Sequence, residues 1–270
     1  MAIPLEDQFN DIIGKAMRGL TLADTAVAER SGLTQQEVQQ LRDGTWNAEA
    51  ARKVAPVLSL GAEALVVTGE KSWTPEPVSL DGLAQFNTVF EDMTVNAYLV
   101  WDPASKEAAA FDTGSDAGEM MAEAASRGLT IRTIFITHTH GDHIFDFDRL
   151  REKTGARALV GEHEPLDGAE PFSAGSRFKI GSLKVETRLT WGHSTGGVTF
   201  FITGLERPVA IVGDAIFAGS MGGGGVSYAD ALRTNREQIL TLPKETIICP
   251  GHGPMTTVGE ELIHNPFFAS

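Results

Sequence analysis

The 270-residue chain holds a single cysteine, Cys249, so no intrachain disulfide can form and a stapled secreted scaffold is excluded. It is also short of positive charge, with 22 Lys and Arg against 36 Asp and Glu and a formal charge of −14. A surface this acidic repels phosphate backbones, so general nucleic-acid or anionic-membrane binding is not expected, and small substrates and metal cations are favoured. Long apolar runs are missing too. The most apolar stretch, Val54 to Val67, is broken by Pro56, Gly61 and Glu63, well short of the roughly 20 residues of a spanning helix. The segment Met1 to Asp7 lacks a basic region followed by an apolar one, so no secretory signal is read and a cytoplasmic location is expected. What remains is ordinary globular usage, 42% hydrophobic and 21% charged, enough for one large domain or one large plus one small.

Residues 6 to 68 are helical in texture. Ile12, Ile13, Ala16 and Met17 share one face, with Gly19 as the expected stop. Thr21 is expected to cap a second helix carrying Leu22, Ala26 and Val27, ending at Ser31-Gly32. Thr34 opens a third through Val38 and Leu41 to Gly44, and a fourth begins near Asn47. The segment GLTLADTAVAERSGLTQQEVQQLRDG resembles the repressor/Cro-type helix-turn-helix family, with Gln35, Gln36, Gln39 and Gln40 where base-reading side chains would stand. Against DNA binding, residues 1–70 carry six Lys and Arg against ten Asp and Glu, a net of −4, and DNA affinity comes largely from phosphate neutralisation. A small helical bundle used for packing or for a homodimer is expected instead.

Trp73-Thr74-Pro75-Glu76-Pro77 reads as a linker, since two prolines within three residues resist both helix and sheet. It divides the chain into a helical region, 1–72, and a second region, 73–270, of α/β texture. In the second, Val95–Trp101 and Glu107–Phe111 read as a hairpin, Gly118–Arg127 as a helix ended by Gly128, Ile131–Thr137 as a strand and Phe145–Thr154 as a helix. Leu183–Leu189, Val198–Ile202, Val209–Val212 and Thr246–Cys249 continue the strands.

Five of the seven histidines lie in three biased contexts. His138-Thr139-His140-Gly141-Asp142-His143 follows the strand ending in Ile-Phe-Ile-Thr. Residues two apart on an extended chain point the same way, so His138 and His140 can grip one cation while the turn at Gly141 offers Asp142 and His143 to another. His193 sits between Gly192 and the pair Gly196-Gly197, which permit a sharp bend. Asp214 follows one apolar strand and His252 another, in Pro250-Gly251-His252-Gly253-Pro254. Groups placed directly after strands share a sheet edge, where a metal site can form.

In this order HxHxDH, GHSTGG, GDA and PGHGP resemble the metallo-β-lactamase superfamily, over about residues 83 to 270. The resemblance implies an α/β fold, an αββα sandwich preceded by the small all-α bundle, with the site along one edge of two sheets. It implies that His138, His140 and His193 hold one divalent metal and Asp142, His143 and His252 a second, bridged by Asp214. Asp112, in Phe-Asp-Thr-Gly, would orient a ligand from behind. The ions implied are zinc first, with iron or manganese served by the same ligands.

Within the superfamily the ending GHGPMTTVGEELIHNPFF resembles the glyoxalase II and persulfide dioxygenase branch. Only 18 residues follow His252, so the chain resembles single-domain glyoxalase-II-like hydrolases that lack the added helical domain for glutathione. From Asp214 onward the first cation is Arg233, where glutathione-handling relatives carry an earlier arginine. Gly222 to Gly225 read as a mobile loop beside the site, and Tyr228 as either a hydrogen-bond donor to a developing oxyanion or a packing residue. His163 and His264 read as surface or capping residues, and Cys249 as a packing residue. The activity expected is hydrolysis of a small acyl substrate by metal-bound hydroxide, a thioester foremost and an ester or lactone next. Two alternatives stand beside it: a persulfide-dioxygenase-like enzyme with one iron on His138, His193 and Asp214, and a metal-dependent DNA-binding regulator.

Overall fold

The computed structural model describes residues 3–269. Five helices come first: α1 (Phe9–Gly19), α2 (Asp24–Ser31), α3 (Gln35–Arg42), α4 (Ala48–Val57) and α5 (Ala62–Gly69). Ile12, Ile13, Ala16 and Met17 are the buried face of α1. Helix α3 opens on a capping box in which Thr34 Oγ1 accepts from Glu37 N at 3.2 Å and Glu37 accepts from Thr34 N at 2.7 Å. Asn47 Oδ1 caps α4 through Ala50 N at 3.0 Å. The expected cap at Thr21 is corrected: α2 starts at Asp24, and Thr21 has φ +55°. Its N–H bonds Arg18 O while Leu22 N–H bonds Met17 O, a Schellman ending that satisfies the last carbonyls of α1. Thr21 therefore closes one helix and opens none.

Residues 73–80 have no regular secondary structure but are pinned. Trp73 stacks on His264 with centroids 4.5 Å apart, and Glu76 N donates to Glu260 at 2.9 Å. One six-stranded sheet then contains β1 (Leu83–Phe90), β2 (Met93–Trp101), β3 (Glu107–Phe111), β4 (Thr130–Ile136), β5 (Arg157–Gly161) and β6 (Glu170–Phe172) in that spatial order. A second contains β7 (Arg177–Ile180), β8 (Leu183–Leu189), β9 (Val198–Thr203), β10 (Val209–Gly213), β11 (Ile247–Pro250) and β12 (Thr256–Thr257), also in sequence order. Strands β1, β5, β6, β7 and β12 add to those read from the sequence. Between β3 and β4 lies α6 (Gly118–Ser126), and between β4 and β5 lie α7 (Gly141–Ile144) and α8 (Phe147–Thr154). The helix expected over 145–154 is α8, starting two residues later, and the short α7 before it was not read; between them Thr113 Oγ1 accepts from Asp146 N. After β10 come α9 (Tyr228–Thr234), continued by a π-helical turn over Asn235–Ile239, and finally α10 (Val258–His264).

Alternation along β2 shows how the layers are filled. Tyr98 and Val100 point between the sheets with Phe111, Phe135, Phe200, Ile211 and Cys249, while Leu99 and Trp101 point outward with Met120 of α6 and Leu150 of α8. Phe111, Phe135 and Phe200 are fully buried with centroids 5.0–5.3 Å apart, each stabilising the sandwich by about 1.5–3 kcal/mol. Ala210, Val212 and Ile248 face Ile239 and Val258 on the other outer side. The result is the expected four-layer α/β sandwich.

The helical region is not packed as a free unit. Its core, with Ile12, Ile13, Val54, Leu58 and Leu65, also includes Met221, Tyr228, Ala231 and Phe267.

Candidate metal centre

Strands β3–β4 and β10–β11 run parallel, so their carboxyl ends reach one edge of the sandwich. Asp112 follows β3, His138 follows β4, Asp214 follows β10 and His252 follows β11, while His193 lies on the β8–β9 connection. His140, Asp142 and His143 occupy the start of α7.

These residues form two groups. His138, His140, His193 and Asp214 present donor atoms within 4.8 Å of one another, as do Asp142, His143 and His252. His140 Nδ1 stands 3.0 Å from both His138 Nε2 and His193 Nε2. Asp214 joins the groups: its Oδ2 is 3.3 Å from His193 Nε2 and 3.4 Å from His252 Nε2, and its Oδ1 is 3.2 Å from His143 Nε2. His252 Nε2 is 3.3 Å from Asp142 Oδ2. Ligands held tetrahedrally about 2.1 Å from a cation stand about 3.4 Å apart, so the spacing suits a shared ion. Two of the buried atoms, His143 Nε2 and Asp214 Oδ1, make no hydrogen bond, a cost that a cation would remove. Both groups offer the nitrogen and oxygen donors that divalent ions take.

The outward nitrogen of most of these rings is already committed. His143 Nδ1 bonds Asp112 Oδ2 at 2.8 Å, His193 Nδ1 bonds Gly223 O at 2.9 Å, and His252 Nδ1 bonds Thr94 O at 2.6 Å. Each bond fixes the tautomer that turns Nε2 to the centre. Asp112 is itself held at φ +56°, accepting from Thr137 N at 2.8 Å and Thr137 Oγ1 at 2.7 Å.

Charge is strongly coupled here. Burial alone would raise Asp214, yet His143 and His252 hold it well below the usual carboxylate range. Burial lowers His143, but Asp214 and Asp112 push it up to about 10, and against the same burial Asp214 and Asp142 push His252 up to about 11. Burial sets His138 and His193 below the ordinary histidine value. Cations bound at the centre would take the place of the protons that His143 and His252 otherwise attract.

Two glycines permit the crowding. A β-carbon on Gly251 would fall 2.1 Å from Asp214 Oδ1, and one on Gly222 would fall 1.9 Å from Asp214 O. The glycine run expected to be mobile is instead tied to the centre through Gly223 O, and Val226 N and Ser227 N both donate to Gly192 O. Tyr228 is not brought to the centre. Its ring packs over Gly19 and faces Phe267 with centroids 6.5 Å apart, and burial raises its pKa to about 12. It occupies the junction with the N-terminal helices, the packing alternative of the two. Cys249 is buried in β11 with its thiol raised by burial.

Three supporting residues carried no motif. Glu164 accepts from Thr139 N, Thr139 Oγ1 and Gly196 N, joining the turns that bear His138–His140 and His193. Asn96 Nδ2 donates to Pro250 O and Gly253 O at 2.9 and 2.8 Å, bracing the turn of His252. Glu261, fully buried, accepts from Gly219 N and Asn265 Nδ2. Each partner lies at least 25 residues away or on another element, except Asn265, so no local spacing marks them.

The chain belongs to the metallo-beta-lactamase superfamily, whose sequence profile matches residues 91–252. It is similar to the probable metallo-hydrolase YqgX of Bacillus subtilis, 31% identical over 181 residues that cover 58% of this chain and 85% of the relative. It is also similar to a hydroxyacylglutathione hydrolase of Cereibacter sphaeroides, 35% identical over 161 residues covering 58% and 61%. The crystal structure of the BLEG-1 B3 metallo-beta-lactamase matches with a TM-score of 0.62 at 27% identity, covering 69% of this chain and all of that one.

Proposed function

We propose that the protein is a two-metal hydrolase of small acyl substrates, with a thioester as the foremost class and an ester or lactone next. The observation that carries this reading is the union of two donor groups at Asp214, which touches both. His138, His140 and His193 would hold one ion and Asp142, His143 and His252 the other, with Asp214 shared between the two groups. Two such ions supply a hydroxide nucleophile near neutral pH and polarise the acyl carbonyl, zinc being the first candidate and iron or manganese the next. Asp112 and the Gly223 and Thr94 carbonyls orient the imidazoles, so that each Nε2 is kept free of a proton when the ions are bound. Asp142, less buried than Asp214, would take the proton of the attacking water and return it to the departing sulfur or oxygen. The acyl preference is supported by the similarity to a hydroxyacylglutathione hydrolase. A single-iron site on His138, His193 and Asp214 would leave Asp142, His143 and His252 without a role.

The test is metal analysis of purified protein beside a panel of thioesters, lactones and phosphodiesters. Two ions per chain with thioester turnover are expected. One iron per chain with oxygen consumption on glutathione persulfide would sink the reading.

A further inference from the structure

The chain ahead of α1 and the first turns of α1 lie against the turns that flank the metal centre. The Pro4 carbonyl and the Glu6 backbone pack on Gly253, where a β-carbon would stand 3.3 Å from Glu6 N. Asp7 accepts from Ser220 Oγ at 2.5 Å and pairs with Lys15. Lys15 Nζ donates to Met221 O at 2.8 Å and sits 5.1 Å above the Phe217 ring, whose centroid is 5.4 Å from that of His252. This wall therefore grips the 217–221 turn that leads away from Asp214.

The charges of the wall do not cancel. Lys15 is neutralised by Asp7 in a nearly buried pair. Glu6 is half-buried and within electrostatic reach of His252 and Asp214, with neither a hydrogen bond nor an ion pair among the described residues. No Lys or Arg stands between Asp214 and Arg233, and Arg233 is engaged by Asp230 and Glu237. An unpaired carboxylate in a partly desolvated rim attracts a cation and repels an anion more strongly than it would in water.

Resting on the hydrolase reading, we propose that Glu6 is a specificity-determining residue: the N-terminal segment gives the metal centre an acidic wall that selects acyl substrates bearing an ammonium group and rejects carboxylate-bearing ones such as glutathione thioesters. The helical region then serves substrate choice, with the Asp7–Lys15 pair positioning the wall.

Binding of two thiols to the full-length, zinc-reconstituted protein tests this without requiring turnover. Thiocholine carries a quaternary ammonium that cannot ligate zinc, and 3-mercaptopropionate carries a carboxylate at similar reach. By calorimetry at low salt, the wild type should bind thiocholine on the order of tenfold more tightly. Glu6→Gln should bring the ratio toward one and Glu6→Lys should invert it, with zinc content and circular dichroism unchanged. Equal affinities in the wild type, the same ratio in Glu6→Gln, or no binding of either thiol would overturn the proposal. A Glu6-dependent ratio in a protein that hydrolyses no acyl substrate would overturn the hydrolase reading alone.

Discussion

Asp112 carries three hydrogen bonds, to Thr137 N, Thr137 Oγ1 and His143 Nδ1, in a left-handed conformation that costs a non-glycine residue energy. Backbone strain at such a residue persists where its surroundings over-determine it, and here they hold one imidazole in one tautomer. Asp112→Ala is expected to weaken the ion on Asp142, His143 and His252 by about 10–100-fold while sparing the other. Chelator competition on the zinc-loaded protein measures this, and two equally tight ions in the variant would refute it. The residues the centre brings together were readable from the sequence because each sits after a strand or on the turn that follows one, in a biased context of glycine, proline or histidine. Glu164 and Asn96 were not, because a carboxylate or amide flanked by polar neighbours has the same local appearance whether it braces a site or faces water.

At the scale of elements, α10 and the 217–221 turn are joined by Glu261, which accepts from Gly219 N, Thr256 Oγ1 and Asn265 Nδ2. Complete burial raises its pKa from 4.5 to about 8. A folded-state value above the unfolded one means that the folded protein binds the proton more tightly, so this stabilisation is full below pH 4.5 and is lost as pH rises through about 8. Urea unfolding between pH 5 and 9 should show the wild type losing on the order of a few kcal/mol relative to Glu261→Gln across that window. Parallel pH profiles would contradict the assignment. Elements with caps, alternation or a continuous apolar run, such as α3, α4, β8 and β2, were readable because local chemistry decides them. Strands β1, β5, β6, β7 and β12 were not: short or edge strands owe their pairing to neighbours far along the chain. The start of α2 was misplaced because a threonine that caps one helix and one that ends another share the same local signal.

At the scale of the molecule, the N-terminal helices and the sandwich share one hydrophobic cluster, in which Met221, Tyr228, Ala231 and Phe267 lie under α1, α4 and α5. Removing residues 1–72 would expose those side chains, and cores stripped of a packing layer lose stability and self-associate. The fragment 73–270 is therefore expected to melt well below the full chain and to elute as aggregates. A monomeric fragment with an unchanged Tm and two zinc ions would show instead that the helices are dispensable to the fold. The amino-acid sequence by itself determined the donor types and their order, the strand ends that carry them and the helical character of the first quarter, since these depend on neighbours within a few positions. Only the tertiary structure decided that Lys15 meets Met221 across 206 residues, that Tyr228 packs against Gly19 and not at the centre, and that Glu6 packs on Gly253, the neighbour of His252. Such pairings arise from how separate elements dock to bury apolar surface, and docking leaves no period or spacing in the chain.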